Sequence, residues 1–267
     1  MDNGLHENIS IEEYHSGSGI SRSSLMLILE SPFHYKNRHT VTFKDSDAKT
    51  IGSMVHGLIL EPHLFDDEFA LEPIVNKRTK AGRAEIDEFK EDNKEKITYS
   101  ESMLNQATDM TESFFNFESN KNLFKDIDAE QSIFWIHEET GLQFKCRPDG
   151  WIKSSNIIID LKTTKSAKLR QMQRSCLDYG YLIQAAMIKE GLASLGVDMK
   201  QYLIAAIEKT PPYASAIYMI DEDAINYGLN QFNKAARLLS DCMLKDKWPS
   251  YEPDLLTIPN YLKENEE

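Results

Sequence analysis

The apolar positions change period along the chain, and each change marks an element. In ISRSSLMLILESPFHYKNR, Leu25, Ile28 and Leu29 recur at helical spacing behind a cap at Ser21 or Ser23, and Pro32 breaks that helix or starts a second turn. In TIGSMVHGLILEP, from Thr50, Ile51, Val55, Leu58 and Ile59 predict another helix. Its two glycines are costly unless something must approach closely there. A helix over about 100–115 turns Met103, Leu104 and Met110 inward. The pattern then becomes β-like: DAEQSIFWIHE, GLQFKCRPDGWI and SNIIIDLKTT are short runs divided by turn signals. Helices over about 167–176 and 178–192 follow, then strands near 200–209 and 214–220. A last helix, about 221–245, is amphipathic through Ile225, Leu229, Phe232, Ala236 and Leu239. This order predicts an α/β fold with a central mixed β-sheet flanked by helices.

Three stretches give no such period. Residues 1–19 read as an irregular arm ending in Ser16-Gly17-Ser18-Gly19. Residues 76–99 are dense in both charges and poor in large apolar groups, which predicts an exposed loop or a mobile helical excursion. The tail WPSYEPDLLTIPNYLKENEE has too many prolines for regular structure, with Trp248 and Tyr251 as the residues to pin it. The expected organisation is one domain over 1–267: a helical part at about 20–115, a core at about 125–220, and a helix and tail at about 221–267.

Composition narrows the class. The chain has 267 residues, 41% of them hydrophobic, enough to bury a core without disulfides. It has no apolar run of the roughly 20 residues needed to cross a bilayer. Its first residues lack the basic flank and apolar stretch of a signal peptide, so a cytoplasmic protein is expected. Cys146, Cys176 and Cys242 lie far apart, form no zinc-ligand pattern, and read as reduced, buried thiols. A net charge of −13 argues against a surface coated for nucleic acid, but leaves room for a local basic groove. No GxxxxGK[ST] loop supports nucleotide hydrolysis.

The chemistry concentrates in Asp149 and the run Asp160-Leu161-Lys162. Residues two apart in a strand share a face, so Asp160 and Lys162 point one way while Ile159 and Leu161 point into the opposite layer. A hairpin closed over Glu139-Thr140 sets Glu130 opposite Asp149; one closed over Ser154-Ser155 sets Asp149 opposite Asp160. A slip of one residue would reverse the facing. In these registers three carboxylates and a lysine meet. Such a cluster repels itself unless protonated or neutralised, and all-oxygen ligands suit Mg2+, with Mn2+ as a substitute. A metal there can bind a phosphate oxygen and acidify water, with Lys162 orienting or deprotonating that water or offsetting charge. The motif is short, and a solvated acidic hairpin with ordinary ion pairs is the competing reading.

The string GLQFKCRPDGWIKSSNIIIDLKTTKSAKLRQMQRSCLDYGYLIQAAMI resembles the core of the PD-(D/E)xK nuclease superfamily, and more closely the RecE-like exonuclease VIII group of phage-type recombination exonucleases. ISRSSLMLILESPFHYK and IGSMVHGLILEP resemble that group's opening helices, so matching elements span about residues 9–210. The resemblance implies a restriction-endonuclease-like core. It assigns Asp149 and Asp160 to the metal, Lys162 to catalysis, His56 to the metal shell, and Glu130 to assistance at the same centre. The backbone carbonyl of Leu161 is a further candidate ligand, and Tyr181 and Gln184 fall where the group positions substrate. Pro148-Asp149 is intact; the second acid is Asp160 rather than Glu, which the pattern permits.

Each candidate has a plainer alternative. A lone histidine in an apolar helix, such as His56, is more often a hydrogen-bonded core residue. Tyr181 and Gln184 share a helical face and could simply pack. Lys162, Lys165, Lys168, Arg170 and Arg174 form a run free of acidic residues between Leu161 and Leu177. It reads as a DNA-backbone surface or as a solvated helix start. Lys36, Arg38, Lys77, Arg78, Lys80 and Arg83 could extend it. Phe33, Tyr35 and Phe43 read as packing aromatics, with a stacking or wedge role as the alternative. Arg147 either steadies the acidic hairpin or reaches a phosphate.

The expected activity is magnesium-dependent degradation of linear double-stranded DNA from an end. The resemblance implies 5′ to 3′ polarity, a homo-oligomeric ring around DNA and a single-strand annealing protein as partner. An endonuclease on the same scaffold, a catalytically inactive DNA-binding subunit and an interaction domain without nucleic acid are the alternatives.

Overall fold

The computed structural model describes residues 1–7, 9–40, 46–76 and 78–258; Phe43 and Lys77 lie outside them. The chain begins with β1 (Gly4–His6), α1 (Ile11–Ser16), α2 (Arg22–Glu30), α3 (Pro32–Lys36) and α4 (Asp47–Leu60). Next come α5 (Phe65–Glu68), β2 (Phe69–Leu71), α6 (Lys80–Asp92), β3 (Ile97–Tyr99), α7 (Glu101–Phe115) and α8 (Glu118–Phe124). The central strands are β4 (Asp128–Ala129), β5 (Ser132–Ile136), β6 (Gln143–Cys146), β7 (Gly150–Ile152) and β8 (Ile157–Thr164). The chain closes with α9 (Leu169–Asp178), α10 (Tyr181–Ser194), β9 (Gln201–Glu208), β10 (Ser215–Met219) and α11 (Glu222–Lys245).

The main sheet runs β10-β9-β8-β7-β4 and is mixed, because β8 and β9 pair parallel while the other neighbours pair antiparallel. β8 is apolar on both sides, as a strand covered on both faces must be. Ile159 and Leu161 join Leu203, Ala205 and Ile207 against Met54 and Val55 of α4 and Met110 of α7. Ile158 joins Tyr202, Ile204 and Ala206 against α10 and α11, through Ile183, Met187, Phe232 and Leu239. Helices thus flank a central mixed sheet, matching the expected α/β restriction-endonuclease-like core. α10 buries apolar residues on more than one side because it lies between the sheet layer and α11. Among the described residues no helix is long and apolar enough to cross a membrane.

Both hairpin registers match the sequence reading. Ile133 pairs Cys146 and Ile136 pairs Gln143, which carried on sets Glu130 opposite Asp149; Gly150 pairs Ile159, which carried on sets Asp149 opposite Asp160. The first hairpin splits between two sheets. β5 and β6 join β1 in a three-stranded sheet, while β4 and β7 stay in the main one. The split falls at Glu130, whose φ of +52° is left-handed. That conformation costs a non-glycine residue about 1–3 kcal/mol.

Two unpatterned stretches are more ordered than expected. The N-terminal arm holds β1, which pairs with β5, and α1, closed by a capping box between Ser10 and Glu13. Lys145 fastens it: its Nζ donates to the carbonyls of Tyr14 and Gly17 at 2.7 Å and of His15 at 3.1 Å. These contacts are tertiary, which is why the arm shows no period. The charged stretch holds α6, capped by Thr79 and anchored by buried Ile86, and β3, parallel to β2. A single buried isoleucine and a three-residue strand leave too weak a pattern to read. In the tail, Trp248 stacks on Tyr35 at 5.8 Å and Tyr251 hydrogen-bonds Glu30. The three cysteines are free and buried.

Candidate metal centre

The chemistry gathers where β8 leaves its pairing with β7. At that point Asp149 has just left Pro148 and the strand β6, and its carboxylate turns back onto β8, accepting from the Leu161 N–H at 2.7 Å. Across the ladder, Glu130 donates its backbone N–H to the Asp149 carbonyl at 3.2 Å, so the two acids stand side by side. From the other face of the sheet α4 brings His56, with Nδ1 3.8 Å from the Asp149 carboxylate. α4 can come this close because a Cβ on Gly52 would already sit 3.1 Å from the Thr163 hydroxyl. His56, Glu130 and Asp149 each offer a ligand atom within 4.8 Å of the others, and His56 and Glu130 line a cleft of about 290 Å³.

Their ionisation states suit a hard cation. Burial pushes the Glu130 carboxyl up to about 8, and the adjacent Asp149 adds to this against the opposing pull of Arg147. Burial, with Lys162 nearby, lowers His56 below its usual range although Asp149 and the Leu161 carbonyl pull the other way. It is therefore the neutral imidazole, the form that ligates metal. Two carboxylates and a neutral imidazole that repel or remain protonated without a cation fit a divalent ion of the magnesium or manganese kind.

Asp160 lies next to this triad, fully buried, with a different set of partners. Its carboxylate is 2.7 Å from Lys162 Nζ and accepts from Gln184 Nε2 at 2.8 Å. Burial raises Asp160 to about 6, with Lys162 opposing and Asp149 reinforcing. Burial alone would lower Lys162, but Asp160 and Asp149 outweigh it and hold it above the ordinary lysine range, so it is a cation. The lysine lies 3.8 Å from Asp149, 3.4 Å from the Leu161 carbonyl and 5.2 Å above the Tyr181 ring. Tyr181 and Gln184, on the first turn of α10, thus hold Lys162 and Asp160. Gln184 Oε1 is buried with no partner among the described residues.

Of the basic run, Lys165 and Arg174 line a groove of about 620 Å³ that starts at Lys162; Lys168 and Arg170 are exposed at the start of α9 and do not line it. Lys36 pairs with Asp246, and Arg38 lies 4.4 Å over Tyr35, so both serve the tail and helix packing. Arg147 steadies the hairpin: its Nε is 2.7 Å from Glu130, and its terminal nitrogens donate to the carbonyls of Ile9 and Ser10 at 3.2 and 3.3 Å.

Three residues near the site escaped the sequence reading. Arg22 stands close enough to Asp160 and Tyr181 to oppose in small part the rise that burial imposes on both. Its only signal was a basic residue set among serines at a helix start. Lys209, just past β9, lines the same groove as Lys165. The buried Tyr202 hydroxyl, pushed well above its usual range by burial and then by Asp160, remains a neutral group beside that carboxylate. Nothing local distinguished it from any other core tyrosine.

The family described as "PDDEXK-like domain of unknown function (DUF3799)" matches residues 21–254. No curated protein matches the chain. A crystal structure from Eubacterium rectale, described provisionally as an exonuclease, is similar with a TM-score of 0.64 at 16% identity, covering 95% of this chain and 96% of that one. At that identity the likeness speaks for the fold. A phage-related exonuclease from Haemophilus somnus is more distant, with a TM-score of 0.36 at 13% identity over 88% of this chain and 99% of that one.

Proposed function

The chain belongs to the PDDEXK-like family DUF3799, and on that premise we propose that it is a magnesium-dependent exodeoxyribonuclease that degrades linear double-stranded DNA from an end. One observation carries the reading: His56, Glu130 and Asp149 converge within 4.8 Å beside the buried Asp160–Lys162 pair, at the head of a basic groove. A structural ion pair alone has no use for a neutral histidine and a second, protonated carboxyl at its edge.

In this reading His56, Glu130 and Asp149 would hold the ion, with Asp160 and the Leu161 carbonyl as further candidate ligands beside them. A divalent cation there supplies charge to phosphate oxygens and acidifies water. Lys162 presents a fixed positive charge where negative charge grows on the phosphate. Gln184 keeps Asp160 turned to the site, Tyr181 supports Lys162, and Lys165 and Arg174 draw the DNA backbone along the groove. RecE-like polarity of 5′ to 3′, a homo-oligomeric ring and an annealing protein as partner belong to the same proposal. They are supported by the resemblance of the motif strings. A ring would place the basic groove inside and the acidic remainder of a chain at −13 outside.

The test is digestion of end-labelled linear duplex and closed circular DNA with magnesium, beside Asp160→Asn and a chelator. Nucleotide release from the linear DNA only, lowered roughly a thousandfold by the substitution, is the expected result. Cutting of the circle would make the protein an endonuclease. Binding without substitution-sensitive cleavage would make it a DNA-binding subunit.

A further inference from the structure

Tyr179 is a large aromatic left 58% exposed at the rim of the groove that holds Lys162. Exposure alone decides nothing, since single apolar side chains are common on surfaces. Its mounting is what sets it apart. Tyr179 caps the end of α9, and the next residue, Gly180, is left-handed at φ +67° and caps the start of α10. A Cβ on Gly180 would lie 2.3 Å from the Met26 sulfur, so this turn is pressed against α2. The Tyr179 carbonyl is tied down as well, accepting from Arg22 Nη1 at 2.5 Å. The backbone beneath the ring is thus fixed, while the ring itself faces solvent.

The ring also connects to the reacting centre. It lies 5.8 Å from the Tyr181 ring at a tilt of 34°, and Tyr181 in turn lies 5.2 Å below Lys162 Nζ. Two such steps reach at most about three nucleotide rises of roughly 3.4 Å each. Around the same groove stand Lys165, Arg174 and Lys209, which outnumber the acid that also lines it, Asp178. A rigid aromatic face beside a row of cations is the combination that binds single strands: the cations follow the phosphates and the ring receives a base.

We infer that Tyr179 is a stacking platform for a nucleobase within a few nucleotides of the reacting phosphate, so that the groove takes an unpaired strand and not an intact duplex. The inference rests on the nuclease reading and deepens it. Every base has a π-face, so this contact tolerates any sequence, and a DNA end that frays supplies the unpaired base at least cost. Tyr179 touches substrate in this account but moves no proton.

The experiment uses the full chain carrying Asp160→Asn, so that DNA is bound and not consumed. The probe is a duplex with a frayed end bearing 2-aminopurine at successive terminal positions. The parent is expected to quench the fluorescence at one or two adjacent positions. Adding Tyr179→Phe should keep the quenching, whereas Tyr179→Ala should abolish it and weaken binding roughly ten- to hundredfold. In the active chain Tyr179→Ala should raise KM for frayed ends with little change in kcat. Quenching and KM equal to the parent's, with or without a change in oligomeric state, would overturn the platform while leaving the nuclease reading intact. Failure of the parent to bind DNA at all would overturn both.

Discussion

Replacing Gly228 with alanine is expected to damage the site from a distance. Gly228 lies on α11 where that helix crosses α10, and a Cβ there would stand 2.0 Å from the Leu182 carbonyl oxygen and 2.6 Å from its carbon. Carbon and oxygen meet comfortably at about 3.3 Å, so the helices must part by roughly 1.3 Å. The obstacle is backbone, which cannot rotate aside. Overpacking of this kind costs about 1–3 kcal/mol, and the clash with a main-chain atom puts it near the upper end. Alanine returns about 1 kcal/mol of helix propensity, leaving a net loss of about 2 kcal/mol. For a chain this long that is a fall in Tm of about 4–8 °C. The displaced segment begins with Tyr181 and Gln184, so the 2.8 Å bond from Gln184 to Asp160 should lengthen and the cleavage rate should fall. Thermal denaturation and the linear-duplex assay measure the two effects. Asn226→Ala, on an exposed position of the same helix, is the control and should be neutral or slightly stabilising. A Gly228→Ala protein as stable and as active as the parent would refute the packing argument and the claim that α10 positions the site.

Two further predictions follow from charge. Glu130, raised to about 8 in the metal-free protein, must lose a proton to bind a cation, so magnesium affinity should rise by up to about tenfold per pH unit from pH 6 to 8 and then level off. The metal-free protein should lose stability over the same rise in pH, because the unfolded chain releases this proton first, near the ordinary glutamate value. Magnesium should oppose that loss, and Glu130→Gln should remove the share due to Glu130 while leaving that of Asp160, raised to about 6. Titration calorimetry across pH reads the affinity and scanning calorimetry the stability, and an affinity flat from pH 6 to 8 would remove Glu130 from the metal centre. On the groove, Lys165→Ala and Arg174→Ala should each reduce the slope of log affinity for DNA against log salt by about 0.7–0.9. Lys168→Ala and Arg170→Ala, off the groove, should change it less; equal effects at all four positions would place the DNA elsewhere.

How far the sequence reached depends on how local each cause is. Alternating Ile159 and Leu161 against Asp160 and Lys162 is a property of one strand, so the shared facing of Asp160 and Lys162 was legible before any fold was known. Both hairpin registers were legible because short turns leave few ways to close, and a slip would have turned Asp149 away from Asp160. The helices around Leu25, Val55 and Phe232 announced themselves by period. The N-terminal arm and the charged stretch did not, because β1 and β3 exist only through the partners they pair with.

The acids, the lysine and the apolar layers behind them were determined by the order of residues alone, through the period of a strand and the length of a turn. The meeting of His56 with Glu130 and Asp149 was decided by tertiary structure, since a helix some seventy residues upstream had to cross the sheet and settle against Thr163. So were the grip of Gln184 on Asp160, the choice of Glu130 as partner for Arg147, and the selection of Lys165 and Arg174 over Lys168 and Arg170. Each depends on distances between elements remote in sequence. Those distances are set by packing, and packing is a property of the assembled core.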